Sequence, residues 1–145
     1  MELLNLNQPL VLPEILKALA RKNIKSEIDD DGDILIDKDD RYSIIRDDDG
    51  KIKFFGVIII EKKYDNENLE KYVSRMNFVG ENLRFTVMDK PDGGHNVFYS
   101  TSFPKTGCVD DDFFVGLINS YLEEVNRFVS LMDVMDDIIQ PKKEK

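Results

Sequence analysis

The residues with the clearest potential for chemistry are two clusters reading DDDG, Asp29–Gly32 and Asp47–Gly50. Carboxylates that close on a glycine can ligate calcium. An EF-hand loop needs oxygen ligands at positions one, three and five, glycine at six and a bidentate glutamate at twelve. With Gly32 at six, position one is Glu27 and position twelve is Lys38, a cation where a carboxylate must sit. With Gly50 at six, positions one and twelve are Ile45 and Gly56. Neither loop has the ligand set, so both read as hairpin turns in which glycine takes the left-handed backbone. A three-residue loop Asp30–Gly32 sets Ile28 opposite Ile34 and Ser26 opposite Ile36. A similar loop Asp48–Gly50 sets Ile44 opposite Phe54 and Arg46 opposite Ile52, whereas a two-residue loop Asp49–Gly50 pairs Ile44 with Phe55. Both three-residue registers place apolar side chains on a common sheet face. In this reading the glycines matter and the aspartates are mostly solvated.

Other chemistry has little to build on. His95 is the sole histidine, so a histidine metal pair or an HExxH site is impossible. A Ser–His–Asp arrangement would have to use His95, which reads as a surface residue at a strand start. Cys108 lies just before a helix N-terminus that could lower a thiol pKa, but Asp110, Asp111 and Asp112 oppose a thiolate. It reads as a small, semi-buried residue. The chain has no dinucleotide, Walker or GxSxG sequence. With 29 acidic residues, any carboxylate pair could be nominated as general acid and base, so no pair has force. Phe54/Phe55 and Phe98/Tyr99 lack the basic flanks of an RNA-stacking platform. The sequence therefore calls for no catalytic residue, no cofactor and no metal.

A net charge of −9 and a pI near 4.6 argue against nucleic-acid and anionic-membrane partners. They suit a basic protein partner or simple solubility. A single cysteine forbids an internal disulfide and fits a reducing cytoplasm. The first residues lack the layout of a signal peptide, and no apolar run reaches the roughly 18 residues of a membrane span. The expected compartment is the cytoplasm. A chain of 145 residues fits one domain with a core of its own.

Several elements must position these residues. A helix is expected from Pro13, with Leu12, Ile15, Leu16 and Leu19 as its apolar stripe and Asn23 as its stop. Alternating runs at Ile24–Ile28, Asp33–Asp37, Arg41–Arg46 and Lys51–Glu61 read as strands. Asp65–Asn77 changes period: Leu69, Tyr72, Val73 and Met76 share a helical face, and Asp65 can cap it. Leu83–Asp89 and His95–Phe103 read as strands around the turn Lys90–Gly94. A last helix is expected to start after Asp110 as N-cap and to run about 30 residues to Pro141, or about 45 Å.

Along that helix Phe114, Ile118, Tyr121, Val125, Phe128, Met132, Met135 and Ile139 recur at four-three spacing, a seam of coiled-coil type. A six-residue strand spans only about 20 Å, so the second half of the helix should overhang its sheet. Phe128, Leu131, Met132, Met135 and Ile139 are thus the candidate partner or dimer interface. A homodimer is the expected state.

The run Tyr72–Met132 resembles the YbjN-domain family, bacterial proteins proposed to regulate sensory transduction. It has a helix ending in an Asn-containing turn, a strand, a Gly-rich hairpin, a strand, a small-residue loop and a long amphipathic helix. Asn77 and Asn82 look like the family's paired turn asparagines. The resemblance implies an α+β fold similar to that of type III secretion chaperones. Helices would pack on an antiparallel sheet of about six strands, in the order α-β-β-β-β-α-β-β-α. Such chaperones usually have three strands before the middle helix, and four are read here, which favours the regulator over the chaperone. The domain would cover 1–145, with an N-terminal arm over 1–11 and a disordered tail over 140–145. The family implies a non-enzymatic cytoplasmic module that binds protein partners. The alternatives are a secretion chaperone for an effector segment, and an immunity protein or antitoxin that uses its acidic surface.

Overall fold

Glycine turns fold the first half of the chain into a meander, and the computed structural model describes residues 2–38, 41–61 and 64–140. The elements are β1 (Leu3–Asn5), α1 (Val11–Arg21), β2 (Ser26–Ile28), β3 (Ile34–Lys38), β4 (Arg41–Asp48) and β5 (Lys51–Ile59). They continue with α2 (Asn66–Val79), β6 (Arg84–Asp89), β7 (His95–Pro104), β8 (Cys108–Asp110), α3 (Asp111–Met132) and α4 (Met135–Ile139). The fold is α+β. A six-stranded antiparallel sheet has the order β2-β3-β4-β5-β7-β6, and β1 pairs with β8 in a separate ribbon. The chain divides into two compact units, one up to Gly56 with Ser100–Ser120, the other Val57–Tyr99 with the residues from Tyr121 onward.

In the first unit, Pro13 sits in the first turn of α1, where its missing N–H costs nothing. Val11, Ile15, Ala18 and Leu19 are buried, while Leu12 and Leu16 are only partly covered. The helix stops as expected at Asn23, whose φ of 61° is left-handed. The first hairpin has the expected register, Ile28 opposite Ile34 and Ser26 opposite Ile36, with Gly32 at φ 85°.

The second hairpin corrects the three-residue expectation. Asp48 pairs with Lys51, so the loop is Asp49–Gly50, and Ile44 faces Phe55. Asp49 and Gly50 have φ of 41° and 84°, the two left-handed residues of a tight hairpin turn. Shortening the loop moves the cross-strand pairing by one residue. Ile45, not Ile44, then lies opposite Phe54 on the buried face with Ile34, Ile36 and Ile52.

The N-terminal arm carries a strand that its three residues did not announce. Leu3 pairs with Asp110 and Asn5 with Cys108, while Leu4 and Leu6 are buried. Asp110 caps α3 as expected, its carboxylate accepting from the Asp112 N–H at 2.8 Å.

In the second unit, Asp65 caps α2 by accepting from the Glu67 N–H, and Leu69, Tyr72, Val73 and Met76 are buried as the spacing predicts. The turn Lys90–Gly94 closes with Lys90 N–H donating to the Gly94 carbonyl at 2.8 Å. The expectation of one helix of about 30 residues is not met. α3 ends at Met132, after 22 residues, and α4 restarts at Met135. The break lies at Asp133–Val134, and α4 packs on α2. Continuing apolar spacing through Met135 and Ile139 hides the break, because a helix that turns to a new neighbour can keep the same pattern. The tail from Pro141 lies outside the described residues.

Candidate functional site

In the acidic stretch Asp30, Asp31, Asp48 and Asp49 are exposed as expected, whereas Asp29, Asp33 and Asp47 are tied into the fold. Asp29 Oδ1 accepts from the N–H groups of Asp31 and Asp33 at 2.9 and 3.0 Å, so it organises the turn around Gly32. Asp33 is buried and accepts from Arg46 Nε and Nη2 at 3.0 and 2.8 Å. That hydrogen bond holds the Arg46 pKa above its ordinary value. Asp47 pairs with Lys105 at 2.6 Å, and the Lys105 N–H donates to the Gly50 carbonyl. Charge-assisted bonds of this kind dock the turn onto its neighbours.

Among the described residues, Asp110, Asp111 and Asp112 alone gather close enough to suggest a metal. Each already has a task. Asp110 caps the helix, Asp111 accepts from Arg21 Nη2 at 2.8 Å, and Asp112 pairs with Lys22 at 2.7 Å. The Arg21 hydrogen bond lowers the Asp111 pKa. His95 begins β7 with Nδ1 3.0 Å from Asp89 Oδ1. Cys108 is exposed in β8, not semi-buried.

What the first unit presents instead is a sheet face. Leu35, Ile44 and Phe55 are direct cross-strand partners on β3, β4 and β5. They form an apolar row on the face opposite the buried isoleucines, and all three are partly exposed. The Arg46 guanidinium lies 4.9 Å from the Phe55 ring centre and the Lys53 ammonium 5.2 Å, two cation–π contacts at the edge of the row. At its β2 end a shallow cavity of about 420 Å³ is lined by Lys25, Ser26, Glu27, Leu35, Asp37 and Tyr42. Tyr42 is 58% exposed.

Comparison of the sequence with family models and with curated proteins returned no match. Solved structures do match. YbjN from E. coli, a proposed transcription regulator, aligns at TM-score 0.63 and 12% identity, covering 81% of this chain and 87% of that one. An uncharacterized protein from Methanothermobacter thermautotrophicus aligns at TM-score 0.61 and 11% identity, covering 83% and 95%. The fold is YbjN-like. At such identities the likeness concerns architecture alone. The YbjN-like sheet contains four strands before the middle helix, as counted in the sequence. No helix among the described residues is long and apolar enough to cross a membrane.

The two asparagines of the YbjN resemblance have specific partners. Asn77 donates to the Phe85 carbonyl at 2.8 Å and accepts from the Phe85 N–H at 2.7 Å. Its side-chain amide thus pairs with one residue of β6 as a strand would. The Asn82 N–H donates to Glu124, a buried carboxylate that also accepts from Leu83. Sequence reasoning missed Glu124, because a glutamate flanked by Glu123 on an amphipathic helix reads as solvated.

The C-terminal seam divides. Phe128 is fully buried, stacked on Phe85 at 4.3 Å and edge-on to Tyr72 at 4.9 Å. The Tyr72 hydroxyl donates to the Phe128 carbonyl, and burial raises the phenol's pKa. Met132 and Met135 are also buried, and only Leu131 and Ile139 remain partly exposed. Three of the five candidate interface residues are therefore covered within the chain, and Leu131 and Ile139 stay at its surface.

Proposed function

We propose that this YbjN-like chain is a non-enzymatic regulatory module of the cytoplasm that acts by binding other proteins. The observation that carries the reading is the apolar row Leu35–Ile44–Phe55 with the exposed Tyr42. It lies on a sheet whose opposite face already supplies the core. A sheet face that only met water would favour polar side chains at these positions, as alternation in half-buried strands usually does. Contiguous exposed apolar surface on a monomer marks interaction sites. The fold shared with a proposed transcription regulator supports a regulatory rather than a catalytic role. The excess of 29 acidic over 20 basic residues favours a protein over a nucleic acid as the contacted molecule.

The test is affinity purification of the tagged chain from its host, beside Tyr42→Ser and Phe78→Ser variants. Both substitutions fall on exposed side chains and should leave the fold intact. A stoichiometric partner held by the wild type and lost from one variant supports the reading. Recovery of general chaperones alone, equally with all three proteins, rejects it.

A further inference from the structure

The second unit carries a surface that the fold does not need. On α2, the buried residues Leu69, Tyr72, Val73 and Met76 face the core. Lys71, Ser74, Arg75 and Phe78, spaced three and four residues apart, share another face. Together with Ile139 of α4 they line a groove of about 400 Å³. Phe78 is 83% exposed, the most exposed large apolar residue among those described. Arg75 has no hydrogen bond or ion pair among the described residues, and Lys71 meets only the exposed Glu67, at 3.2 Å. The five lining residues include two cations and no carboxylate, in a chain whose net charge is −9.

We propose that this groove binds a short acidic, amphipathic segment of a partner protein. An apolar side chain would lie between Phe78 and Ile139, and a carboxylate would meet Arg75 and Lys71. The inference rests on the protein-binding reading and names its surface and the partner's chemistry. Arginine and aromatic residues are enriched at protein interfaces, and the planar fork of arginine suits a carboxylate. Charge selects the class of partner. A lone carboxylate gains the local attraction of two cations, whereas a polyanion such as nucleic acid would be repelled by the rest of the surface. One seam residue, Ile139, thereby keeps a surface role that Phe128, Met132 and Met135 do not have.

The experiment selects binders to the full-length protein from a random twelve-residue peptide library displayed on phage. The strongest peptides are then titrated with amide chemical-shift mapping. The expected result is enrichment of peptides with Asp or Glu near Leu or Phe, with shifts confined to residues 71–79 and 135–140. Binding should weaken with salt. Arg75→Glu and Phe78→Ser should each weaken it at least about tenfold, with unchanged melting curves, while Tyr42→Ser should not. Peptides without an acidic bias, or binding kept within twofold in Arg75→Glu, overturn the proposal. Peptides that map to the Leu35–Ile44–Phe55 row overturn the groove and leave the protein-binding reading standing. Failure to select any peptide counts against both. A concentration-dependent dimer in light scattering that Phe78→Ser abolishes would assign the groove to a second copy and also overturn the proposal.

Discussion

Gly80 offers a test in which two physical effects predict opposite signs. Its φ and ψ of −73° and 152° are open to any residue. Replacing glycine by alanine at such a position normally stabilises a protein by about 0.4–1 kcal/mol, because the unfolded chain loses freedom. Here a Cβ would lie 2.7 Å from Glu124 Oε1 and 2.8 Å from the Met76 carbonyl oxygen. Neither atom can withdraw cheaply. The Met76 carbonyl is helix backbone that accepts from the Gly80 N–H at 2.8 Å. The Glu124 carboxylate is held by the Asn82 and Leu83 N–H groups, each at 3.2 Å. Pushing it aside would leave buried donors and a buried carboxylate unpaired, at about 1–3 kcal/mol per group. Steric and hydrogen-bond losses should outweigh the entropic gain, for a net loss of about 1–3 kcal/mol. At about 2–4 °C per kcal/mol for a chain of this size, Tm should fall by about 2–12 °C. The assay is urea and thermal denaturation of Gly80→Ala, Glu124→Ala and the double variant. Alanine at position 80 should cost less once Glu124 has been shortened, because the two sites share one contact. A Gly80→Ala protein as stable as the wild type, or more so, would refute the reasoning.

Gly50→Val should lower stability by about 1–2 kcal/mol, since a β-branched residue cannot easily hold φ 84°. Melting of both the wild type and the variant should be indifferent to added calcium; a calcium-induced rise in Tm, lost on Asp47→Ala, would restore the ion-site reading. The Arg21 bond lowers the Asp111 pKa in the folded state, so its contribution is present above the ordinary carboxylate pKa of 3.8 and is lost as pH falls through the depressed value. Stability measured against pH should therefore fall less steeply at the acid end in Asp111→Asn than in the wild type. Phe128→Ala should cost about 3–5 kcal/mol as a buried aromatic truncation, whereas Ile139→Ser should leave the urea midpoint within the error of a surface change; equal costs would show that Ile139 belongs to the core.

Much of the fold could be read from local pattern. Pro13, Asn23, Asp65 and Asp110 act within one helical turn of themselves, so their roles as helix start, stop and caps follow from residue type. Gly32 and Gly93 mark turns for the same reason, because positive φ is a property of one residue and its neighbours. The candidate site was less legible. The Leu35–Ile44–Phe55 row depends on whether the loop at Gly50 has two residues or three. Both choices put apolar pairs on one face, so periodicity could not separate them. The α3 break could not be seen because Met135 and Ile139 continue the spacing while packing against a different neighbour.

The sequence by itself determined the α+β order and the antiparallel meander with its glycine turns. These are consequences of local propensity and composition. Only the tertiary structure decided that Leu3–Asn5 pairs with Cys108–Asp110, that Glu124 is buried beneath the Asn82 turn, and that Phe128, Met132 and Met135 belong to a core. It also decided that Phe78 and Arg75 stand beside Ile139. Each of these depends on which distant residue arrives as a neighbour, and a side chain's own identity does not carry that information.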